Sequence, residues 1–147
     1  MFGKIGGRFD TGKKWASGTV ASVSSSTASF KYVSHSLSGS NSTASSRYIE
    51  IPLEFKPNVI VVTAGNSDTN YSTSSFRTYM SVYSPNEPIY ADSNLKTVKT
   101  TVYNVSSLST TSYNYNDCNN LIDLGNGIYR IPVPANAMYN IRWIAYE

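Results

Sequence analysis

The sequence has little charge, one cysteine and one histidine, and each shortage argues against a class of function. Charged residues make up 14% of the 147 residues, against about a quarter in average globular chains. A single cysteine, Cys118, excludes an internal disulfide, and with one histidine it cannot supply the ligand cluster of a zinc site. The twelve lysines and arginines are scattered, with Lys13 and Lys14 the only adjacent pair. We therefore expect no nucleic-acid partner.

Long apolar segments are also missing from the chain. No apolar run approaches the ~20 residues of a membrane-spanning helix. Residues 1–10 lack the apolar core of a signal peptide. The sequence accordingly predicts no membrane insertion and no classical secretion.

Polar, uncharged residues and tyrosines dominate what is present. The chain holds 24 serines, 13 threonines and 14 asparagines, about a third of all residues, together with 12 tyrosines. An apolar share of 40% and an aromatic share of 13% can support a core, which argues against a disordered chain. The length fits one domain. Tyrosine, serine and asparagine are also the residues of adaptable recognition surfaces.

The hydrophobic pattern indicates β-strands throughout. Residues 47–53, 76–84 and 138–146 alternate between apolar and polar, and residues 59–64 form an apolar run that predicts a strand buried on both faces. An Asn126-Gly127 pair predicts a tight hairpin with positive φ angles. No window shows a helical period. We predict an all-β antiparallel sandwich of eight to ten strands over residues 13–147, preceded by a Gly-rich entry segment or stalk end at 1–12.

Catalytic and metal-binding patterns are weak. His35 lies between two serines in a polar stretch, and Cys118 has no basic neighbour. Glycosidase chemistry needs two carboxylates across a cleft; Glu50 with Glu54, or Asp117 with Asp123, are conceivable pairs, but surface acids are the favoured interpretation. Calcium could use the oxygens of residues 66–70, although the loop lacks EF-hand spacing and a polar turn is favoured. We predict no enzyme and no cofactor.

Sugar binding fits the composition better. Sugars need flat aromatic surfaces for their C–H faces and fixed donors and acceptors for their hydroxyls. We expect the 76–84 strand to present such a surface outward, next to the loop that precedes it, and half-exposed sheet faces or a subunit interface are the alternative interpretation. The candidate ligand-binding residues are Arg77, Tyr79 and Tyr83 on the strand and Asp68, Asn70 and Tyr71 in the loop.

Several segments resemble the H-type lectins. They are Gly-Lys-Lys-Trp-Ala-Ser-Gly at 12–18, Phe-Lys-Pro-Asn-Val-Ile-Val-Val at 55–62, Asp68, the strand opened by Phe76 and Arg77, and Tyr-Asn-Ile-Arg-Trp-Ile-Ala at 139–145. The same segments resemble the C-terminal heads of tail fibres and receptor-binding proteins from phages of Gram-positive bacteria. The resemblance implies a lectin-like sandwich that forms homotrimers, with Arg77 matching a sugar-contacting arginine and Asp68 matching by position. The late aromatic–histidine pair of those lectins has no counterpart, so their N-acetylgalactosamine specificity does not carry over.

These observations lead to one functional hypothesis and one alternative. The hypothesis is non-catalytic binding of a bacterial cell-wall glycan, such as wall teichoic acid, by a receptor-binding head at the phage tail tip. Its expected partners are that glycan, two further copies of the chain and an upstream tail-fibre stalk. The alternative is a structural baseplate or tail module that binds other phage proteins.

Overall fold

Ten β-strands make up most of the described chain. The computed structural model describes residues 3–8, 12–33, 41–65, 77–85, 97–104, 108–116, 120–133 and 139–147. Within these ranges there is no helix, and hence none long and apolar enough to cross a membrane. The strands are β1 Gly3–Arg8, β2 Lys14–Val20, β3 Ala28–Val33, β4 Asn41–Pro52, β5 Val59–Gly65, β6 Arg77–Ser84, β7 Thr97–Asn104, β8 Ser109–Asn116, β9 Ile128–Val133 and β10 Tyr139–Tyr146.

All strand pairs within the described ranges are antiparallel, in the order β1-β2-β10-β5-β6-β7-β8-β3-β4-β9. The long strand β4 turns the sheet into two layers. Its residues 41–46 pair with β3, whereas residues 47–52 pair with β9, and β9 lies against the inner face of β6 and β7. Strands that pass from one layer to the other are a known way of building the corner of a sandwich. The prediction of an all-β antiparallel sandwich is confirmed.

Alternation in β4 and β10 places their apolar residues in the core as predicted. Ile49 and Ile51 on β4, and Ile141 and Trp143 on β10, are buried. The prediction that β5 is buried on both faces is wrong for its outer face. Ile60 and Val62 are buried, but Val59 and Val61 are only half-buried and Thr63 is exposed. Only the inner face of this strand meets the second layer, so its apolar run does not require burial on both sides.

The sequence pattern did not predict two of the strands, β1 and β8. Strand β1 lies in the segment predicted as an entry or stalk end, yet it pairs with β2 along its whole length. A Cβ on Gly7 would lie 2.7 Å from the Trp15 Nε1 atom, so a side chain at this position would displace the indole ring. Strand β8 is rich in serine, threonine and asparagine, and its pairing with β7 along all eight residues stabilises it instead.

The predicted hairpin before β9 exists, but the source of its positive φ angles is different. Gly125 and Gly127 adopt φ of 78° and 80°, and Asn126 does not adopt a positive φ. The Asn126 Oδ1 atom accepts the N–H of Ile128 at 3.2 Å, and the Asp123 Oδ1 atom accepts that of Gly125 at 3.0 Å. The prediction that an Asn-Gly pair supplies both angles is therefore wrong, since asparagine serves as an acceptor and the glycines supply the angles.

Replacing each of these glycines by alanine tests the turn. A Cβ on Gly127 would lie 2.7 Å from the Leu53 carbonyl oxygen, whereas one on Gly125 would meet nothing within 4 Å. We expect Gly125→Ala to lower the free energy of unfolding by about 1 kcal/mol through backbone strain alone. We expect Gly127→Ala to lower it by roughly 2–4 kcal/mol through strain and overpacking. Urea denaturation of both variants measures the difference, and equal losses would contradict the close approach to Leu53.

Candidate functional site

Strand β6 faces the opposite way from the prediction. Tyr79 and Tyr83, expected on the outer surface, are 6% and 1% exposed, whereas Thr78 and Met80 are exposed. The prediction that these tyrosines form an outward sugar-binding face is therefore wrong. A shift of one residue reverses the two faces of a strand, and on β6 both faces carry side chains able to pack in a core.

The second layer explains why the tyrosine face is buried. The Tyr83 ring packs on the ring of Tyr129 from β9, with centroids 5.7 Å apart. Ser81 lies between Tyr79 and Tyr83 on β6. Its Oγ atom lies 2.8 Å from the Thr100 Oγ1 atom and donates to the Pro132 carbonyl oxygen at 3.4 Å. Buried polar groups need such partners, and β7 and β9 provide them.

The other predicted ligand-binding residues are not assembled into a site by the described part of the chain. Arg77 opens β6, where its backbone pairs with Asn104 of β7. Asp68, Asn70 and Tyr71 lie outside the described residues, as does the 66–70 loop considered for calcium. Within the described residues, no group of three or more histidine, cysteine or acidic side chains could hold a metal ion.

Aromatic and charged residues lie near one another on a different surface, at one end of the sandwich. The segment 53–58, which joins β4 to β5, crosses this end from one layer to the other. Three backbone hydrogen bonds fix it and its neighbours. The N–H of Leu53 donates to the Gly127 carbonyl at 2.8 Å, and the N–H of Asn58 donates to the Tyr146 carbonyl at 2.7 Å. The N–H of Glu147 donates to the Lys14 carbonyl at 3.0 Å, which ties the end of β10 to the start of β2.

On one side of segment 53–58 lies an open pocket of about 480 Å³, which we name the Trp15 pocket. Trp15 and Phe55 are both half-buried. The indole ring of Trp15 lies against Gly7 on the outer face of the sheet, whereas strand alternation places Arg8 and Lys14 on the inner face, the side of the buried Ala16. Arg8 and Glu54 are exposed and Lys14 is half-buried. The residues that line this pocket include Gly7, Arg8, Lys14, Trp15, Glu54 and Phe55.

On the other side lies a second open pocket of about 430 Å³, which we name the Asp123 pocket. It shares Glu54 and Phe55 with the Trp15 pocket, and we call the two pockets together the end groove. Its lining includes Glu54, Phe55, Lys56, Asp123, Gly127 and Tyr129. Each pocket therefore combines an aromatic ring with side chains that donate and accept hydrogen bonds.

Two carboxylates considered for glycosidase chemistry share a pocket, but they come from different predicted pairs. Glu50 is not part of the groove lining. Its Oε1 atom accepts hydrogen bonds from Arg130 of β9, at 2.7 Å from Nη2 and 3.2 Å from Nε, and the Arg130 guanidinium lies 4.3 Å from the centre of the Tyr48 ring. Glu54 and Asp123, one from each pair, both line the Asp123 pocket. Asp117 lies outside the described residues.

The groove residues lie in separate segments of the sequence, and no local pattern predicts that they meet. Trp15 and Phe55 belong to the segments 12–18 and 55–62, each of which places lysine beside an aromatic residue. That local pattern was the available signal. Forty residues separate the two rings along the chain, and only the pairing of β2 with β10, and of β10 with β5, brings them to the same end of the sheet.

Truncation of β6 side chains tests the assignment of its faces. We expect Tyr83→Ala to lower the free energy of unfolding by about 3–5 kcal/mol, because it opens a cavity beside Tyr129. The matched control is Met80→Ala on the opposite face, where the side chain is 47% exposed and the expected change is about 0.5 kcal/mol or less. Urea denaturation measures both values. A larger loss for Met80→Ala than for Tyr83→Ala would restore the predicted orientation.

Tyr129 gives the chain a measurable pH dependence. Burial, and secondly the nearby Asp123 carboxylate, raise the pKa of the Tyr129 phenol above its ordinary value of 10.0. The folded chain therefore holds this proton more tightly than the unfolded chain, so the associated stability is complete below pH 10.0 and is lost as the pH rises through the folded pKa. We expect Tyr129→Phe to make the loss of stability above pH 10.0 less steep. Denaturation at a series of pH values compares the slopes, and identical slopes would contradict the assignment.

Comparison of the chain with protein-family models, with curated proteins and with solved structures finds no match.

Proposed function

We propose that this chain is a non-catalytic carbohydrate-binding domain and that its binding surface is the end groove. The observation that carries the proposal is the placement of the half-buried Phe55 beside Arg8, Lys14 and Glu54 in the lining of one open pocket. Aromatic rings cover the apolar C–H faces of a sugar ring, while charged and amide groups bind its hydroxyls. Pockets with an aromatic lining and a few polar groups are typical of small-ligand sites.

The local structure supports this use because it fixes the ring before a ligand arrives. Phe55 lies in segment 53–58, which is fixed at both ends by the backbone hydrogen bonds that Leu53 and Asn58 donate. At the same end, the backbone N–H of Lys14 donates to the Glu147 carboxylate at 2.9 Å. A ring held in place loses little conformational freedom on binding, which increases affinity.

The surroundings of the acidic residues favour binding over hydrolysis. A glycosidase needs one carboxylate as acid and another as nucleophile or base. Of the two carboxylates that line the Asp123 pocket, Glu54 and Asp123, the latter uses its Oδ1 atom to hold the turn through the N–H of Gly125. Glu50 lies outside the groove and is paired with Arg130. These roles support the proposal of a non-catalytic domain. Release of new reducing ends from a bound polysaccharide would overturn it.

The proposed ligand is a bacterial cell-wall glycan, such as a wall teichoic acid or another wall polysaccharide. The support comes from the resemblance to H-type lectins and to receptor-binding heads of phages of Gram-positive bacteria. Two of the resembling segments supply Lys14, Trp15, Phe55 and Lys56 to the end groove. We extend the proposal to a homotrimeric head at the phage tail tip, attached to an upstream stalk. Several weak sites on one particle would then gain avidity on a cell surface.

A structural role in a phage tail or baseplate is the second candidate, and the outer sheet face favours it. Opposite residues of an antiparallel ladder share a face, so the registers place Ile5, Met80 and Tyr103 on the side away from β9. Met80 and Tyr103 lie on the neighbouring strands β6 and β7, and Ile5 lies four strands from β6 on β1. Ile5, Met80 and Tyr103 are 68%, 47% and 38% exposed. Exposed apolar side chains on one face are typical of protein-contact surfaces.

Substitution of Phe55 tests the proposed sugar-binding surface. We expect Phe55→Ala to weaken binding to purified Gram-positive cell walls and to glycan arrays by about tenfold or more, because stacking on the ring is lost. The matched control is Tyr103→Ala, which removes an exposed ring from the outer sheet face and should leave binding unchanged. Circular dichroism and urea denaturation establish that both variants are folded.

Two outcomes would contradict the proposal. Unchanged glycan binding by folded Phe55→Ala would remove the end groove from consideration. Failure of the unmodified chain to bind any wall or array glycan, together with capture of another tail protein that Tyr103→Ala abolishes, would favour the structural role.

A further inference from the structure

We infer that the outer face of the sheet packs against a second copy of this chain, through an apolar surface that strands β1, β10, β5 and β6 supply. The inference does not rest on carbohydrate binding, because none of the residues that form this surface lines the end groove.

The strand registers bring apolar residues of the outer face into one row across the sheet. Ile144 of β10 lies opposite Val61 of β5, and Val61 lies opposite Val82 of β6. On the other side of β10, Ser17 of β2 lies between Ile144 and Ile5 of β1. Opposite residues of a ladder share a face, so this row runs over five neighbouring strands with one serine in it.

A second, shorter row lies beside the first. Tyr146 of β10 is opposite Val59 of β5, and each lies two residues along its strand from Ile144 or Val61. Residues two apart on a strand lie on the same face, so the two rows form one surface. We name it the outer apolar patch, and it consists of Ile5, Val59, Val61, Val82, Ile144 and Tyr146.

Strand β5 lacks the alternation that a sheet with one solvated face normally shows. Ile60 and Val62 are buried in the core, and Val59 and Val61 give the outer face an apolar character as well. The described part of the chain covers the inner face with β9 and places no strand over the outer face. Apolar residues on both sides are typical of a strand that is buried on both, so the pattern indicates a cover from outside the chain.

The size of the outer face matches what a stable dimer requires. Neighbouring strands lie about 4.8 Å apart, and successive outward residues lie about 6.8 Å apart along a strand. The six strands from β1 to β7 in the sheet order, with three outward rows, therefore present roughly 29 Å by 20 Å, or about 600 Å² in projection. Because side chains raise the accessible area above this projection, the face approaches the ~800 Å² per partner of a standard interface.

The distribution of charge favours a copy of the chain as the partner. The outer apolar patch contains no charged residue, and the same six strands contain no acidic residue. Two exposed cations lie at the border of the patch, Arg142 on β10 and Lys99 opposite Val82. In an interface between identical surfaces the patch meets itself, and an uncharged centre can do so without burying a charge. The cations then remain in the polar rim that interfaces normally have.

The oligomeric state of the full 147-residue chain tests the inference. Sedimentation velocity and light scattering, from low to high micromolar concentration, measure the mass of the particle. We expect an oligomer at high micromolar concentration. Val61→Lys should raise its dissociation constant by about a hundredfold or more, because the charge would be buried without a partner at the centre of the interface.

The matched control adds the same charge outside the patch. Thr110 is exposed on the outer face of β8, opposite Tyr103, and Thr110→Lys should change the dissociation constant by about threefold or less. Val61→Thr keeps the branched shape at Cβ and serves if the lysine variant does not fold, which circular dichroism and urea denaturation establish. It should raise the dissociation constant by about tenfold, because a hydroxyl enters an apolar contact.

Tryptophan fluorescence locates the contact independently. Trp15 lies on the outer face, opposite Tyr146 of the patch, whereas Trp143 is 3% exposed in the core. Dilution should shift the emission of Trp15 to longer wavelength over the concentration range in which the oligomer dissociates, and Trp15→Phe should remove the shift. Dissociation without a shift would contradict a contact at the outer face.

The remaining outcomes separate this inference from the proposed function. A monomer at every concentration would overturn self-association and leave carbohydrate binding in place. An oligomer that neither Val61→Lys nor Val61→Thr weakens would overturn the choice of surface. Capture of a different protein by a monomeric chain, abolished by Val61→Lys, would replace the inference with the structural role. Absence of glycan binding by an intact oligomer would overturn the proposed function alone.

Discussion

The close approach of Gly127 to the end of β4 is the constraint on which the end groove depends. The Gly127 carbonyl accepts the N–H of Leu53 at 2.8 Å, and a Cβ on Gly127 would lie 2.7 Å from the Leu53 carbonyl oxygen. Only a residue without a side chain, and with φ of 80°, fits there. The turn before β9 is thereby held beside segment 53–58. Without that contact, Asp123 and Phe55 would not line a common pocket.

The same closeness of the layers determines which side chains reach the surface. Strand β9 covers β6 and β7, and it offers the Tyr129 ring and the Pro132 carbonyl to the residues beneath it. Tyr83 and Ser81 can therefore be buried with partners for their polar atoms. The aliphatic face of β6 is left outside, with Met80 exposed. The binding surface that we propose therefore lies at the end of the sandwich, where loops and strand ends meet, rather than on the flat face of β6.

The hydrophobic pattern predicted the buried face of a strand correctly where only one face is apolar, and incorrectly where both faces could pack in a core. The apolar residues of β10 lie on one face, and its alternation predicted their burial correctly. On β6, Tyr79 and Met80 both suit a core, so the pattern did not determine which face turns inward. Strand β8 shows little hydrophobic pattern because most of its residues are polar, and its pairing with β7 stabilises it. For the site, the lysine–aromatic segments around Trp15 and Phe55 were visible, but their meeting depends on long-range strand pairing.

By itself, the sequence determined the all-β class, the antiparallel sandwich and the core faces of β4 and β10, since these follow from composition and a period of two. It also placed glycine at the turn where positive φ is needed. The tertiary structure alone decided which face of β6 is buried, that residues 3–8 form a strand, and that residues far apart in the chain share a groove. The physical reason is the same in each case: strand pairing and layer contact depend on partners distant in the sequence, and no local pattern encodes their identity.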